Sequence, residues 1–216
     1  MSEIFCSPRT PDFAGAPAPS PHPPVLILGS STRAAAQSAI RAGLSPCCAD
    51  LFADRDLHAC AHVIPVANYP AGLVEAARTV GAMPWFYTGG LENHPEIVHS
   101  LSQTHPLWGN GASTLYQIRD PWTVAAELQA AGLPALCVWP RDAAPPPASG
   151  DWIQKPLAGA GGRGIQIYDR SRSFSQTDSG TDDLEPVYYQ ERRDGLSLSA
   201  LFVAFPEQVV LVGVTQ

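Results

Sequence analysis

The sequence predicts an α/β chain in two parts, a Rossmann-like unit followed by an α+β unit. Three observations predict it. From Val25 to Thr88 short apolar runs alternate with segments of helical period, as in strand–helix–strand units with a parallel sheet. From Trp108 this alternation gives way to two helical segments and then to closely spaced strands. Finally, Lys155 lies in a strand-like run, Trp152-Ile153-Gln154-Lys155-Pro156-Leu157, that leads into Gly159-Ala160-Gly161-Gly162-Arg163-Gly164 and at once into a second strand.

Residues 1–24 are rich in Pro, Ser, Ala and Gly and read as a disordered tail. They lack the basic start and apolar centre of an export signal, so a cytoplasmic location is expected. Val25-Leu26-Ile27-Leu28 reads as the first strand, ended by Gly29-Ser30-Ser31-Thr32. A helix is expected over Arg33–Ala42, stopping at Gly43. Pro46–Asp50 reads as a second strand, parallel to the first through a right-handed crossover. Val63–Val66, a helix over Ala71–Val80 and Trp85–Thr88 continue the series. These elements make a Rossmann-like domain over 25–106.

The second domain, 107–216, is expected to open with a turn at Gly109-Asn110-Gly111 and a helix over Ala112–Arg119. Asp120 then caps a helix with Pro121 at its first position, which runs to Ala131 and stops at Gly132. Ala135–Trp139 reads as a strand and Pro140–Gly150 as a proline-rich loop. The Lys155 hairpin follows, then a polar loop over Arg170–Glu185 and strands at Val187–Gln190, Ser197–Phe205 and Val209–Val214.

The chain has 216 residues, a net charge of −7 and only 15% charged residues. This balance argues against a nucleic-acid partner, and no apolar run approaches the length of a membrane span. The five cysteines are odd in number and lack a framework spacing, so reduced thiols are expected. His58, Cys60 and His62 would share one face of a strand, yet no further ligand accompanies them and no metal site is assigned.

The glycine run supplies the chemistry. Glycines admit positive φ and let backbone N–H groups approach an anion, while the Lys155 ammonium adds a compact positive charge. Gly159, Gly161 and Gly164 match a dinucleotide-binding fingerprint in letters only, because that motif requires a following helix and Ile165-Gln166-Ile167-Tyr168 is β-favouring. A Walker loop fails because its lysine closes the glycine run, whereas Lys155 precedes it. In the first unit, Asp50 lies where an acidic group could meet a ribose, but Gly29-Ser30-Ser31-Thr32-Arg33-Ala34 holds one of three required glycines. A hairpin folded over a polyphosphate and a glycine-rich turn in an ordinary hairpin are the readings that remain, and four glycines in six residues exceed what a turn requires.

The order of these segments resembles the ATP-grasp superfamily, and most closely a group of ATP-dependent carboligases found beside one-carbon-metabolism genes. The likeness runs from Val25 to the C-terminus. It is carried by Leu107-Trp108-Gly109-Asn110-Gly111, Arg119-Asp120-Pro121, Ala131-Gly132-Leu133-Pro134, Gln154-Lys155-Pro156 with the glycines, Tyr189-Gln190-Glu191-Arg192 and Gly195–Val214. The resemblance implies a Rossmann-like pre-ATP-grasp domain followed by an incomplete ATP-grasp α+β domain. It also implies acyl-phosphate formation from ATP and a small carboxylate, with capture by an amine or other nucleophile.

Carried over residue by residue, the resemblance places Lys155 and Arg119 on the nucleotide's phosphates, with Arg119 where the family usually has lysine. Gly159, Gly161, Gly162 and Gly164 would cover the phosphates. Gln190, Glu191, Arg192 and Arg193 would form the hinge at the adenine edge, and Ser197 stands where an acidic ribose ligand is usual. The family's magnesium-binding carboxylates and Asn are expected beyond Gln216, so this chain alone is expected to lack ligase activity and to need a complementing chain or to self-associate. A non-catalytic nucleotide-binding module and a Rossmann oxidoreductase stand as alternatives.

Overall fold

A computed structural model describes residues 22–140, 146–147, 150–169, 186–205 and 207–216. Residues 1–21 of the expected disordered tail, the polar loop over Arg170–Glu185 and most of the proline-rich loop lie outside the described residues. Pro24, expected in the tail, opens the first strand because it pairs in register with the neighbouring strand. Two compact units meet at Leu115/Tyr116, whereas the change of pattern in the sequence sets the boundary at 106/107.

In the first unit β1 (Pro24–Gly29), α1 (Arg33–Arg41), β2 (Ser45–Asp50), α2 (Arg55–His58) and β3 (His62–Pro65) are followed by α3 (Gly72–Arg78) and β4 (Trp85–Tyr87). The strands form a parallel sheet in the order β3-β2-β1-β4. Crossover connections place helices on both faces. Leu26 and Leu28 pack with Leu73 and Ala77 of α3 and with Val98 and Leu101 of α4 (Pro95–Ser102). Val25 and Ile27, pointing the other way, pack with Ala36 and Ala39 of α1 and Leu57 of α2. Leu107 adds a single parallel bridge to Trp85 beside β4.

The local signals act through identifiable geometry. α1 ends with Gly43 at φ 76°, Gly43 N–H donating to Ile40 and Leu44 N–H to Ala39, the paired bonds of a Schellman motif. Two helices were not read from the sequence. In α4, Pro95 at the first turn, Glu96 beside it and Val98 and Leu101 on the buried face are the signal that was available. In α2, four residues are too few to show a period. This short helix corrects the expectation for His58, Cys60 and His62: His58 ends α2, Cys60 sits in a turn and His62 begins β3, so they share no strand face.

The second unit begins within α5 (Ala112–Arg119) and continues through α6 (Pro121–Ala130). Asp120 caps α6 by accepting from Trp122 N–H at 3.0 Å and Thr123 Oγ1–H at 2.6 Å. Gly132, at φ 69°, closes it with the same pair of bonds as Gly43. An antiparallel sheet follows, order β5-β8-β6-β7, from β5 (Val138–Pro140), β8 (Val187–Glu191), β6 (Trp152–Pro156) and β7 (Gln166–Ile167). β5 and β7 are shorter than their apolar runs, because only Val138–Pro140 and Gln166–Ile167 meet a neighbouring strand. A separate antiparallel hairpin joins β9 (Ser199–Ala204) to β10 (Val209–Thr215), with a register shift between Leu211 and Gly213. Among the described residues no helix is long and apolar enough to cross a membrane.

Candidate functional site

The register of β6 and β8 sorts their side chains. Lys155 faces Tyr188 and Ile153 faces Gln190 across the antiparallel pair, so Lys155, Tyr188 and Gln190 lie on one face. Trp152 and Glu191 oppose each other on the other face, where Trp139 and Trp152 meet edge to face at 6.5 Å. Helix α6 covers the Lys155 face, with the Trp122 ring 5.9 Å from that of Tyr188.

Between this face and the α5–α6 corner lies a cavity of about 470 Å³, roofed by the glycine loop. Its apolar wall includes Val124, Leu128, Leu136 and Val138. Its polar side chains are Arg119, Lys155, Arg163, Tyr188 and Gln190, and among the described residues no Asp or Glu lines it. Three cations facing an apolar wall suit a ligand that carries an apolar ring at one end and several negative charges at the other.

Lys155 Nζ donates to Gln190 Oε1 at 3.0 Å and sits 5.8 Å from the centre of the Tyr188 ring, within cation–π range. These contacts hold the ammonium in place without neutralising it. Arg119, the last residue of α5, donates from Nη2 to the carbonyls of Gly159 at 2.9 Å and Leu157 at 3.4 Å. The loop folds back on the Pro156 ring: a Cβ at Gly159 would come within 2.6 Å of Pro156 Cγ, and one at Gly164 within 3.2 Å. At the tip, Gly161 and Gly162 have φ of 60° and 75° with open space around them, so glycine is required there by conformation and at Gly159 by packing.

Of the residues expected from the sequence, Arg119, Lys155, Gly159, Gly161, Gly162 and Gln190 line this cavity together; Gly164, Glu191, Arg192, Arg193 and Ser197 do not. Glu191 turns away from Gln190 as strand alternation demands, accepting from Cys137 N–H at 3.4 Å and pairing with Arg193 at 2.6 Å. Arg192 pairs with Asp194 at 3.0 Å and lies 3.8 Å from Asp151. Ser197 is exposed ahead of β9. Tyr188 was not read from the sequence as a site residue; only pairing with Lys155 reveals its place.

Chains of known structure share this fold. N5-carboxyaminoimidazole synthetase from Staphylococcus aureus, complexed with ADP, superposes with a TM-score of 0.64 at 15% identity over 89% of this chain and 54% of that one. L-amino acid ligase from Bacillus licheniformis gives 0.65 at 13% identity, over 89% and 50%. The fold is that of the ATP-grasp enzymes. Carboxyaminoimidazole ribonucleotide synthase from Aspergillus clavatus, complexed with ATP, gives 0.66 at 14% identity, over 88% and 52%. This chain spans about half the length of the structures it matches. No protein-family model matches the sequence, and no curated protein sequence does.

The first unit's turn at Gly29 is occupied by its own structure. Asp50, 1% exposed, accepts from the Thr32 backbone N–H and hydroxyl with one oxygen and from Phe52 and Ala53 N–H with the other. A carboxylate so employed has little capacity left for a ribose. Ser30 Oγ–H donates to Gly89 and Thr88 Oγ1–H to Ser31, joining the loops after β1 and β4, and a Cβ at Gly29 would collide with Thr88 Oγ1. The crevice at the topological switch point, where an open sheet usually binds ligands, is stitched across. Among the described residues no group of three or more His, Cys, Asp or Glu is placed to hold a metal.

Proposed function

We propose that this chain is the nucleotide-covering part of an ATP-dependent, acyl-phosphate-forming carboligase that joins a small carboxylate to an amine or other nucleophile. The observation that carries this reading is the gathering of Arg119, Lys155 and Arg163 with the glycine loop around one cavity with an apolar wall. The phosphates of ATP would lie under Gly159–Gly164, with Lys155 as the principal charge. The base would lie against Val124, Leu128 and Val138, near Gln190 at the exit of β8. Phosphoryl transfer depends on charge neutralisation by metal ions, and we assign their ligands to polypeptide outside these 216 residues. The same polypeptide, or a second copy, would cover the β9–β10 hairpin, and a cytoplasmic location fits this metabolic role.

The test is calorimetric titration of ATP into wild type and Lys155→Ala. Losing the charged contact should cost about 1.5–3 kcal/mol, roughly 10- to 150-fold in Kd. Equal affinity for the two proteins would remove Lys155 from the site. NADH should not bind the first unit. With magnesium and candidate carboxylate–amine pairs, the isolated chain should release no ADP; metal-dependent turnover by a monodisperse monomer would overturn the assignment of the metal ligands to another polypeptide.

A further inference from the structure

The glycine loop has a clamped root and a free tip. At the root, Leu157 N–H donates to Pro186 on one side while Arg119 Nη2 takes the Leu157 and Gly159 carbonyls on the other. Gly159 and Gly164 close on the Pro156 ring. Inside the loop, Arg163 N–H donates to Ala160 and Ile165 N–H to Gly162, two successive turns that leave Gly161 and Gly162 at the tip. Arg119 stands at the α5–α6 corner, where the neighbouring Asp120 carboxylate caps α6 through Trp122 and Thr123.

We propose that Arg119 is a positioning residue, a guanidinium latch that holds the glycine loop in its roofing position before any ligand arrives. Carbonyl oxygens are the negative ends of peptide dipoles, and an anion beneath the loop would be repelled by them. A guanidinium donating to two of them offsets that repulsion. It also fixes the Gly159–Ala160 peptide plane, and with it the direction of the Ala160 N–H, since C=O and N–H point oppositely in a trans peptide. The latch explains why arginine serves at this corner. A lysine ammonium ends one bond earlier, short by about 1.3 Å, the length of a resonance-shortened C–N bond, and would not bridge both carbonyls at the present backbone spacing. This inference rests on the nucleotide reading only for the identity of the anion.

The experiment compares wild type, Arg119→Lys and Arg119→Ala by hydrogen exchange of the free protein and by titration with ATP and with adenosine. The latch predicts that both variants exchange the 157–165 amides about tenfold faster than wild type without ligand, the effect of losing one charge-assisted hydrogen bond. Both should lose ATP affinity to a similar degree and keep adenosine affinity, a selectivity that general destabilisation would not produce. Equal thermal midpoints confirm that each variant folds; should Arg119→Ala not fold, Arg119→Lys carries the comparison alone. Restoration of wild-type exchange and ATP affinity by lysine would overturn the latch in favour of a simple charge. So would unchanged loop exchange in the free variants alongside weaker ATP binding, which would make Arg119 a direct phosphate contact. If wild type binds no ATP, the nucleotide reading fails while the exchange comparison still decides the latch.

Discussion

Strands β1 and β9 are each six residues long and dominated by apolar side chains, PVLILG and SALFVA. In β1 every residue from Val25 to Gly29 is buried, whereas all six of β9 are exposed, and so are all seven of β10. The connection makes the difference. A parallel crossover carries the chain over the sheet and lays a helix on it, as α1 and α3 do on the two faces of β1. A tight hairpin returns the chain in the plane of the sheet and covers neither face. Apolar sequence promotes burial, but topology decides whether a covering layer exists. The hairpin, with Leu201 65% and Leu211 60% exposed, is an apolar surface of the kind found where another polypeptide docks.

The largest effect in this comparison belongs to the buried sheet. Leu26→Ala should destabilise the first unit by about 2–5 kcal/mol in chemical denaturation, whereas Leu201→Thr in β9 should stay within about 0.5 kcal/mol. Equal losses at both sites would show that the hairpin is covered within this chain. Asp50→Ala should cost about 3 kcal/mol by leaving buried N–H groups of the β1 and β2 turns unpaired. A change below 1 kcal/mol in the same assay would release Asp50 for a ligand role.

Alkaline titration sharpens the contrast without mutation. Burial pushes the Cys47 and Cys48 thiols up to about 11 from an ordinary value of 9.0. Because the folded state keeps these protons longer than the unfolded one, the contribution is fully present below pH 9 and is lost as pH rises from 9 to about 11. Thermal midpoints should fall across that window, and at pH 8 a thiol reagent should modify the exposed Cys60 and Cys137 before Cys47 and Cys48. A flat midpoint from pH 9 to 11 would contradict the burial. The smallest effect on stability should come from Phe202→Thr with Leu211→Thr, which should leave the unfolding midpoint unchanged while lowering self-association in sedimentation velocity. Unchanged association would mean that these side chains do not drive it.

The strand–glycine–strand segment was legible because the glycines after Lys155 announce it, whereas the cavity-lining Arg119 and Gln190 were legible through the resemblance of Arg119-Asp120-Pro121 and Tyr189-Gln190-Glu191-Arg192 to the ATP-grasp pattern. The same resemblance took Glu191, Arg192 and Arg193 with Gln190 as one hinge stretch and Ser197 as a separate ribose position. Strand alternation and nearby partners divide that stretch, sending Glu191 to Cys137 and Arg193 and Arg192 to Asp194. Tyr188 could not be read at all, since its proximity to Lys155 exists only once β6 and β8 are in register.

The sequence by itself determined the helix stops at Gly43 and Gly132, the Asp120 cap of α6 and the positive-φ turn at Gly161–Gly162. Each depends on backbone sterics and hydrogen bonds within a few residues, which no distant partner needs to complete. The tertiary structure alone decided that Asp50 serves the Thr32 turn, that Arg119 grips the loop root and that β9, unlike β1, is exposed among the described residues. A carboxylate, a guanidinium and an apolar face each accept many partners, and the fold chooses among them by bringing strands and loops far apart in sequence within reach.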